Sequence, residues 1–227
     1  MLVEKFNYTP LDRQSVDGKR HYCLPDGNSL VSVTTILDRT KPGETKLALE
    51  NWKKTVGEKQ AQLITTEAAS RGTRMHKWLE DYVLNNRNMG SPGTMPASKQ
   101  SYKMAEEIVS KGLVHVSEMW GIEVPLYVSG LYAGTTDACG VYKGSPSIID
   151  YKQTNKPKKT EWVGDYFLQL VAYGLAHNET YGTTINQGVI LMCSKDFEFQ
   201  DWVITGDEWD YWTEEWLKRV EQYYNLH

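Results

Sequence analysis

The first patterned stretch of apolar positions is LVSVTTIL at residues 30–37, a β-branched run ending at Lys41-Pro42-Gly43 that predicts a short strand or the start of a helix. Residues 45–66 are good helix formers with Leu47, Leu49, Trp52, Val56 and Leu63 as apolar points. Residues 67–84 predict another helix, interrupted near Arg71-Gly72-Thr73, with Met75, Leu79, Tyr82 and Val83 on one face. The Asn-, Gly- and Pro-bearing segment 85–98 predicts a surface loop, and residues 99–111 a helix closed by Gly112.

Beyond this point the pattern changes. Residues 114–128 and 131–142 alternate or run apolar as strands do, and Lys143-Gly144-Ser145-Pro146 is a turn signal. Residues 147–153 predict a third strand centred on Ile148 and Ile149, and residues 160–177 a helix. On that helix Val163, Phe167, Leu170 and Gly174 form one stripe, and Tyr166, Gln169 and Tyr173 another. GVILMCS at 188–194 reads as a buried strand, paired with 199–205 across the Lys195-Asp196 turn. The last helix carries Trp209, Trp212, Trp216, Val220 and Tyr223 at spacings of three and four, a stripe for core packing. Strands grouped with interspersed helices predict a mixed α/β domain with a central sheet.

Composition narrows the class. The chain has 227 residues, 40% hydrophobic and 24% charged, enough for one globular domain with a full core. No apolar run approaches the roughly 20 residues of a membrane span, and the first residues, MLVEKFNYTPLDRQ, show no targeting pattern. Cys23, Cys139 and Cys193 are odd in number and far apart, as in a reducing compartment. These features predict a cytoplasmic protein with no membrane partner. The formal charge of −4 argues at first sight against nucleic acid, but the whole excess lies in residues 207–222. Elsewhere acids and bases balance, and Lys152, Lys156, Lys158 and Lys159 fall within eight residues that hold no acid. Arg71, Arg74, His76 and Lys77 form a second basic cluster. Each cluster alone would suit a solvated face; together they allow a local positive surface on an acidic protein.

The chemistry concentrates in Asp137 and in Ile148-Ile149-Asp150-Tyr151-Lys152. A hairpin turning between Lys143 and Gly144 sets opposite each other residues whose numbers sum to 287, which include Asp137 and Asp150. Two facing carboxylates repel unless a cation lies between them. Strand alternation puts Lys152 on the face of Asp150, while Tyr151 points away and leaves its carbonyl along the same edge. A surface hairpin with an Asp–Lys pair would carry the same residues, but Ile148 and Ile149 indicate a buried strand, and a buried charge needs a partner or a metal.

Asp137, IIDYK at 148–152 and the Gln169-Leu170-Val171-Ala172-Tyr173 stretch resemble the PD-(D/E)XK nuclease superfamily in its RecB-like branch. Arg71-Gly72-Thr73-Arg74-Met75-His76 resembles the helix motif that supplies a metal-binding histidine there. The likeness extends to the family of the mitochondrial genome maintenance exonuclease and its phage and bacterial relatives. It rests on SVTTIL at 32–37, Leu49-Glu50-Asn51-Trp52-Lys53, DYKQTNKPK at 150–158, QLVAYG at 169–174 and YWTEEWLKRVEQYY at 211–224. It covers nearly the whole chain from residue 30, and the order and spacing of its elements make it specific.

The resemblance implies a restriction-endonuclease-like α/β core with a central mixed sheet flanked by helices. It implies one nuclease domain over residues 1–227: a mainly helical cover with the histidine motif in 1–112, and the sheet core with the last helix in 113–227. Asp137 and Asp150 would ligate Mg²⁺ or Mn²⁺ with His76 and the Tyr151 carbonyl, and Lys152 would orient or help deprotonate the attacking water. Gln169 and Tyr173 would contact the substrate strand near the scissile phosphate, and Arg71, Lys156 and Lys158 of the basic clusters are the further candidates to meet that strand. Glu123 matches an acidic position of many relatives, with no role assigned to it. The chain departs from the family at Gln153-Thr154, where relatives commonly have Thr or Ser directly after the lysine, and at Tyr151, where some have Trp. His21, His115, His177 and His227 match no motif.

The expected activity is a metal-dependent DNA exonuclease preferring single strands or flaps, with residues 45–66 helping to enclose the strand. A structure-specific endonuclease of the same fold and a catalytically silent nucleic-acid-binding protein are the alternatives. Retention of Asp137, Asp150 and Lys152 together speaks against the silent reading. Three scattered cysteines exclude the four-cysteine iron–sulfur branch, and no GxxxxGK[ST] loop supplies a motor. Nothing in the sequence specifies which replication or recombination proteins it meets.

Overall fold

The computed structural model describes residues 2–226, with Met1 and His227 outside the described residues. Its centre is a five-stranded sheet in the order β4-β5-β6-β7-β8, built from β4 (Val116–Val128), β5 (Tyr132–Tyr142), β6 (Ser145–Thr154), β7 (Gln187–Ser194) and β8 (Phe199–Thr205). All neighbours are antiparallel except β6 and β7, which α5 (Gly164–Tyr181) joins as a βαβ unit. Every residue of β7 is buried, which explains its unbroken apolar run: a strand next to a parallel crossover is covered on both faces.

Alternation along β6 divides two cores. Ile148 faces α5, α6 (Asp207–Asn225) and α1 (Val33–Arg39), packing with Phe167, Leu170, Trp216 and Ile36. Ile149 faces the opposite layer, where Met75 and Leu79 of α3 (Glu58–Leu84) meet Met104 and Ile108 of α4 (Pro96–Lys111). The tryptophan stripe packs as its spacing predicts: Trp209 and Trp216 are buried, and Trp212 packs tilted against Phe167 with ring centroids 5.2 Å apart. Among the described residues no helix is long and apolar enough to cross a membrane.

Several elements differ from the sequence-based expectation. The 30–37 run is both strand and helix: β3 (Ser29–Val31) passes into α1 at Ser32, whose side chain caps the helix by accepting from Thr35 N at 3.1 Å. The chain does not bend at Arg71-Gly72-Thr73. It breaks instead at Gly57, where φ is 83°, between α2 (Gly43–Val56) and the 27-residue α3. Gly72 serves packing: a Cβ there would lie 3.2 Å from Cγ of Gln153 on β6. Helix α4 starts three residues early because Pro96 suits a first helical turn, whose N–H groups have no intrahelical partner. The N-terminal half also holds a three-stranded antiparallel sheet, β1 (Asp12–Val16), β2 (Lys19–Cys23) and β3. No residue of α2 is buried, and its Leu47 and Leu49 are exposed.

Candidate active site

The site originates in a fork of the central sheet. Strands β5 and β6 turn at Lys143-Gly144, both with positive φ, and pair in the expected register from Tyr142↔Ser145 to Ala138↔Ile149. The ladder stops there, one pair short of Asp137 and Asp150. Asp137 instead accepts a hydrogen bond from the backbone N–H of Tyr151, Oδ2 to N 2.7 Å, while β6 continues alongside β7. A side chain thus replaces the departing strand, and a buried edge keeps its donor satisfied.

The carbonyl of the same residue faces α3. Nε2 of His76 lies 3.0 Å from the Tyr151 oxygen, and Nδ1 lies 3.5 Å from Oδ1 of Asp137. A carbonyl can only accept, so Nε2 carries hydrogen, and in the neutral ring Nδ1 then turns a lone pair toward a carboxylate. That juxtaposition calls for a cation, either a proton or a metal. Glu123 joins from β4, where its backbone has φ 48°, a left-handed conformation rare for a non-glycine and concentrated at functional sites. Desolvation first, and then the charge of Asp137, raises the Glu123 carboxyl above its ordinary range, although the side chain stays open to solvent. Ligand atoms of His76, Glu123 and Asp137 all lie within 4.8 Å of one another.

Asp150 and Lys152 occupy the other face of β6. Asp150 is 2% exposed, and burial pushes its carboxyl up to about 6 even though Lys152 favours the charged form. Nζ of Lys152 lies 2.6 Å from Oδ2, yet that oxygen receives no properly directed hydrogen bond. Asp150 is not one of the ligand atoms that cluster at His76, Glu123 and Asp137, although Asp137 and His76 both act on its charge. A buried carboxylate oxygen with an unused lone pair next to that cluster is chemistry that suits a hard divalent cation. Burial pulls the Lys152 ammonium pKa down, but the charges of Asp150 and Asp137 outweigh it and raise the value overall. Nζ also donates to Oε1 of Gln169 at 3.1 Å, and Nε2 of Gln169 reaches Oη of Tyr173 at 3.4 Å. Tyr173 itself is 2% exposed and packs against Gly134, where any side chain would collide with its ring.

Of the expected substrate residues, Lys156 is exposed and Lys158 half-buried on the loop after β6. Arg71 is placed otherwise. It is 2% exposed, and its guanidinium is taken up by Gln153 (Nε to Oε1 3.0 Å), by Asn155 and by Glu67 (3.4 Å). It therefore clamps α3 to the end of β6. Tyr166 was missed as a site residue: its ring centroid is 5.0 Å from Nζ of Lys152. The signal was its place three residues before Gln169 on the polar stripe of α5. A cleft of about 530 Å³ opens beside His76 and Glu123 and is also lined by Arg13 and Glu80, which no sequence motif marked.

The fold is α/β, a mixed five-stranded sheet between helical layers. Over most of its length the chain is homologous to proteins named mitochondrial genome maintenance exonuclease 1. It is 29% identical to that of Xenopus tropicalis over 242 residues, covering 94% of this chain and 64% of the relative. To that of Mus musculus it is 29% identical over 209 residues, covering 86% of this chain and 59% of the relative. The chain thus spans about three-fifths of the length of these curated relatives. A crystal structure from Eubacterium rectale, described as a candidate exonuclease, aligns with TM-score 0.46 and 19% identity over 69% of this chain and 64% of that one. No family model matches the chain.

Proposed function

We propose that the chain is a divalent-metal-dependent deoxyribonuclease of exonuclease type, acting on single-stranded or flap DNA. The observation that carries this reading is the sheet fork, which gathers His76, Glu123 and Asp137 around one point with the buried Asp150–Lys152 pair beside them. The exonuclease name of the homologues supports the same reaction.

Mg²⁺ or Mn²⁺ would be held by His76, Asp137 and Glu123, with Asp150 and the Tyr151 carbonyl as further oxygen donors. When bound, such an ion supplies Lewis acidity and a water of lowered pKa. The rest of the work falls to the chain's own groups. The Lys152 ammonium, held by Asp150 and Gln169, is positioned to donate to a phosphoryl oxygen and to orient an attacking water. Its tether to Gln169, itself braced by Tyr173, fixes that position before substrate arrives, so little reorganisation is required during reaction. The exposed face of α2, with Lys46, Lys53 and Lys54 beside Leu47 and Leu49, would cover the entering strand. Lysines on the loop after β6 would meet its phosphates.

Degradation of labelled single- and double-stranded oligonucleotides with Mg²⁺, with Mn²⁺ and with chelator tests the reading. Loss of single strands only with metal is expected, abolished in Asp150→Ala and Lys152→Ala. Equal activity in chelator, or full activity in either variant, would overturn it.

A further inference from the structure

An exposed aromatic ring beside the site is absorbed by none of this chemistry. Trp162 lies in the short 3₁₀ turn Thr160–Trp162 before α5 and is 55% exposed. Isolated exposed apolar residues need no explanation, but this indole stands on an anchored turn, with Nζ of the exposed Lys159 5.3 Å from its ring centroid. Val163, next in the chain, is fully buried in the core, and Thr160 Oγ1 accepts from Nε1 of Trp202 at 3.1 Å. The N–H of Trp162 itself closes the turn on the Lys159 carbonyl at 3.0 Å.

Facing it across a cleft of about 410 Å³ is the loop that leaves β6 directly after Lys152. This wall is anchored too. Oγ1 of Thr154 donates to the Lys156 carbonyl at 2.7 Å, and Gln200 clamps the backbone of Lys158 on both sides at 2.7 and 2.9 Å. Lys156 and Lys158 line the cleft, and neither ammonium has an ion-pair partner among the described residues. At its inner end stands Tyr166, whose ring touches Lys152. The cleft is therefore lined by an exposed indole, by two cations without ion-pair partners among the described residues, and by a tyrosine whose ring lies 5.0 Å from the lysine of the candidate active site. The opposite side of Trp162 is of mixed charge: there Glu161, Asp165 and Glu215 stand with Lys158 and Arg219, and Arg219 is already paired with Asp165 at 3.4 Å.

We propose that this cleft is a subsite for one unpaired nucleotide of single-stranded DNA, its base stacked on Trp162 and its phosphate held by Lys156 and Lys158. The assignment rests on the nuclease reading of the adjoining site and names the part of the substrate that the chain grips beside it. Stacking needs a free base face, which an unpaired nucleotide offers and the interior of a duplex does not. A flat ring in the same cleft as a pair of cations selects a strand on that ground without reading sequence.

Binding of labelled oligo(dT) in chelator, where no hydrolysis intervenes, tests the subsite. Each of wild type, Trp162→Ala and Trp162→Phe is titrated with the intact strand and with strands carrying one abasic residue, moved stepwise along the sequence. Trp162→Ala is expected to bind the intact strand about 5- to 150-fold more weakly, the range of one lost stacking contact, with Trp162→Phe retaining most of the affinity. One abasic position should reproduce that loss in the wild type and have no further effect in Trp162→Ala. Wild-type affinity in Trp162→Ala would overturn the subsite, as would a loss independent of the abasic position. A wild-type protein that binds no single-stranded DNA in chelator but degrades it with Mg²⁺ would overturn the subsite alone, and one that neither binds nor degrades it would overturn the nuclease reading as well, so the two failures are told apart.

Discussion

Replacing Arg71 by alanine is expected to destabilise the protein by about 3 kcal/mol. Two of its hydrogen bonds, to Gln153 and Asn155, are part-buried, and a bond from a charged donor contributes roughly 1.5–3 kcal/mol. The contact with Glu67, whose side chain is 71% exposed, adds at most about 1 kcal/mol. Against these, burial lowers the Arg71 pKa from its ordinary value, so desolvation takes back part of the gain. In a chain of this size each kcal/mol moves the melting temperature by roughly 2–4 °C, which gives a drop of roughly 6–12 °C. Arg71→Lys keeps the charge but not the fork and should fall between wild type and alanine. Thermal and urea unfolding measure the effect. His76 lies five residues along the same helix and Gln153 follows Lys152, so loosening this clamp should also weaken stabilisation by Mn²⁺. A variant that melts with the wild type yet binds single-stranded DNA more weakly would refute the reasoning and return Arg71 to the substrate surface.

Glu123→Gln removes a like charge from beside Asp137, so the metal-free protein should melt slightly higher while its stabilisation by Mn²⁺ falls; an undiminished Mn²⁺ shift would remove Glu123 from the ligand set. Gly134→Ala would place a Cβ 2.6 Å from the Tyr173 ring, and a displacement of about 1 Å relayed through Gln169 to Lys152 should lower kcat roughly 100-fold; unchanged kcat would show that this brace is dispensable. Fully buried His177 hydrogen-bonds Tyr8 and Thr183, and burial lowers its pKa to about 4 from 6.5. Its folded value is depressed, so its contribution is present above pH 6.5 and is lost as pH falls to about 4, up to roughly 3 kcal/mol. Asp150, raised to about 6, acts with the opposite sign over part of that window. The difference in urea stability between wild type and His177→Gln, followed from pH 7 to 4.5, should therefore shrink with falling pH, and a constant difference would contradict the burial argument.

The central sheet was legible because its strands alternate or run apolar and its hairpin is punctuated by Lys143-Gly144. Ile148, Ile149 and Asp150 fixed which residues lie in the core and which charge enters it. The fork was not legible, since it depends on one carboxylate replacing a backbone partner, and periodicity carries no sign of where a ladder ends. Glu123 was legible only as an acidic position, and its place beside Asp137 was not, since its left-handed φ of 48° opposes the residue's own preference. All five residues of β1 are exposed, so no alternation marked that strand. The Asp17-Gly18 pair, both with positive φ, was nevertheless a hairpin signal. Gly57 sits between two runs of good helix formers and reads as one tolerated glycine. Gly72, which looks like a breaker, lies within a helix whose other residues hold it straight. Arg71 was drawn to the substrate by its basic neighbours, whereas Lys77 is exposed, Arg74 is half-buried and donates to Oγ of Ser101 at 3.2 Å, and Arg71 is buried at the end of β6.

Incubation with magnesium of a covalently closed circular single-stranded DNA and of the same molecule linearised tests the proposed activity most directly, with Lys152→Met alongside the wild type. Degradation of the linear strand alone to mononucleotides and short oligomers, absent in Lys152→Met, is the expected result. Cutting of the circle would contradict an exonuclease, and equal degradation by Lys152→Met would contradict the role assigned to the sheet fork.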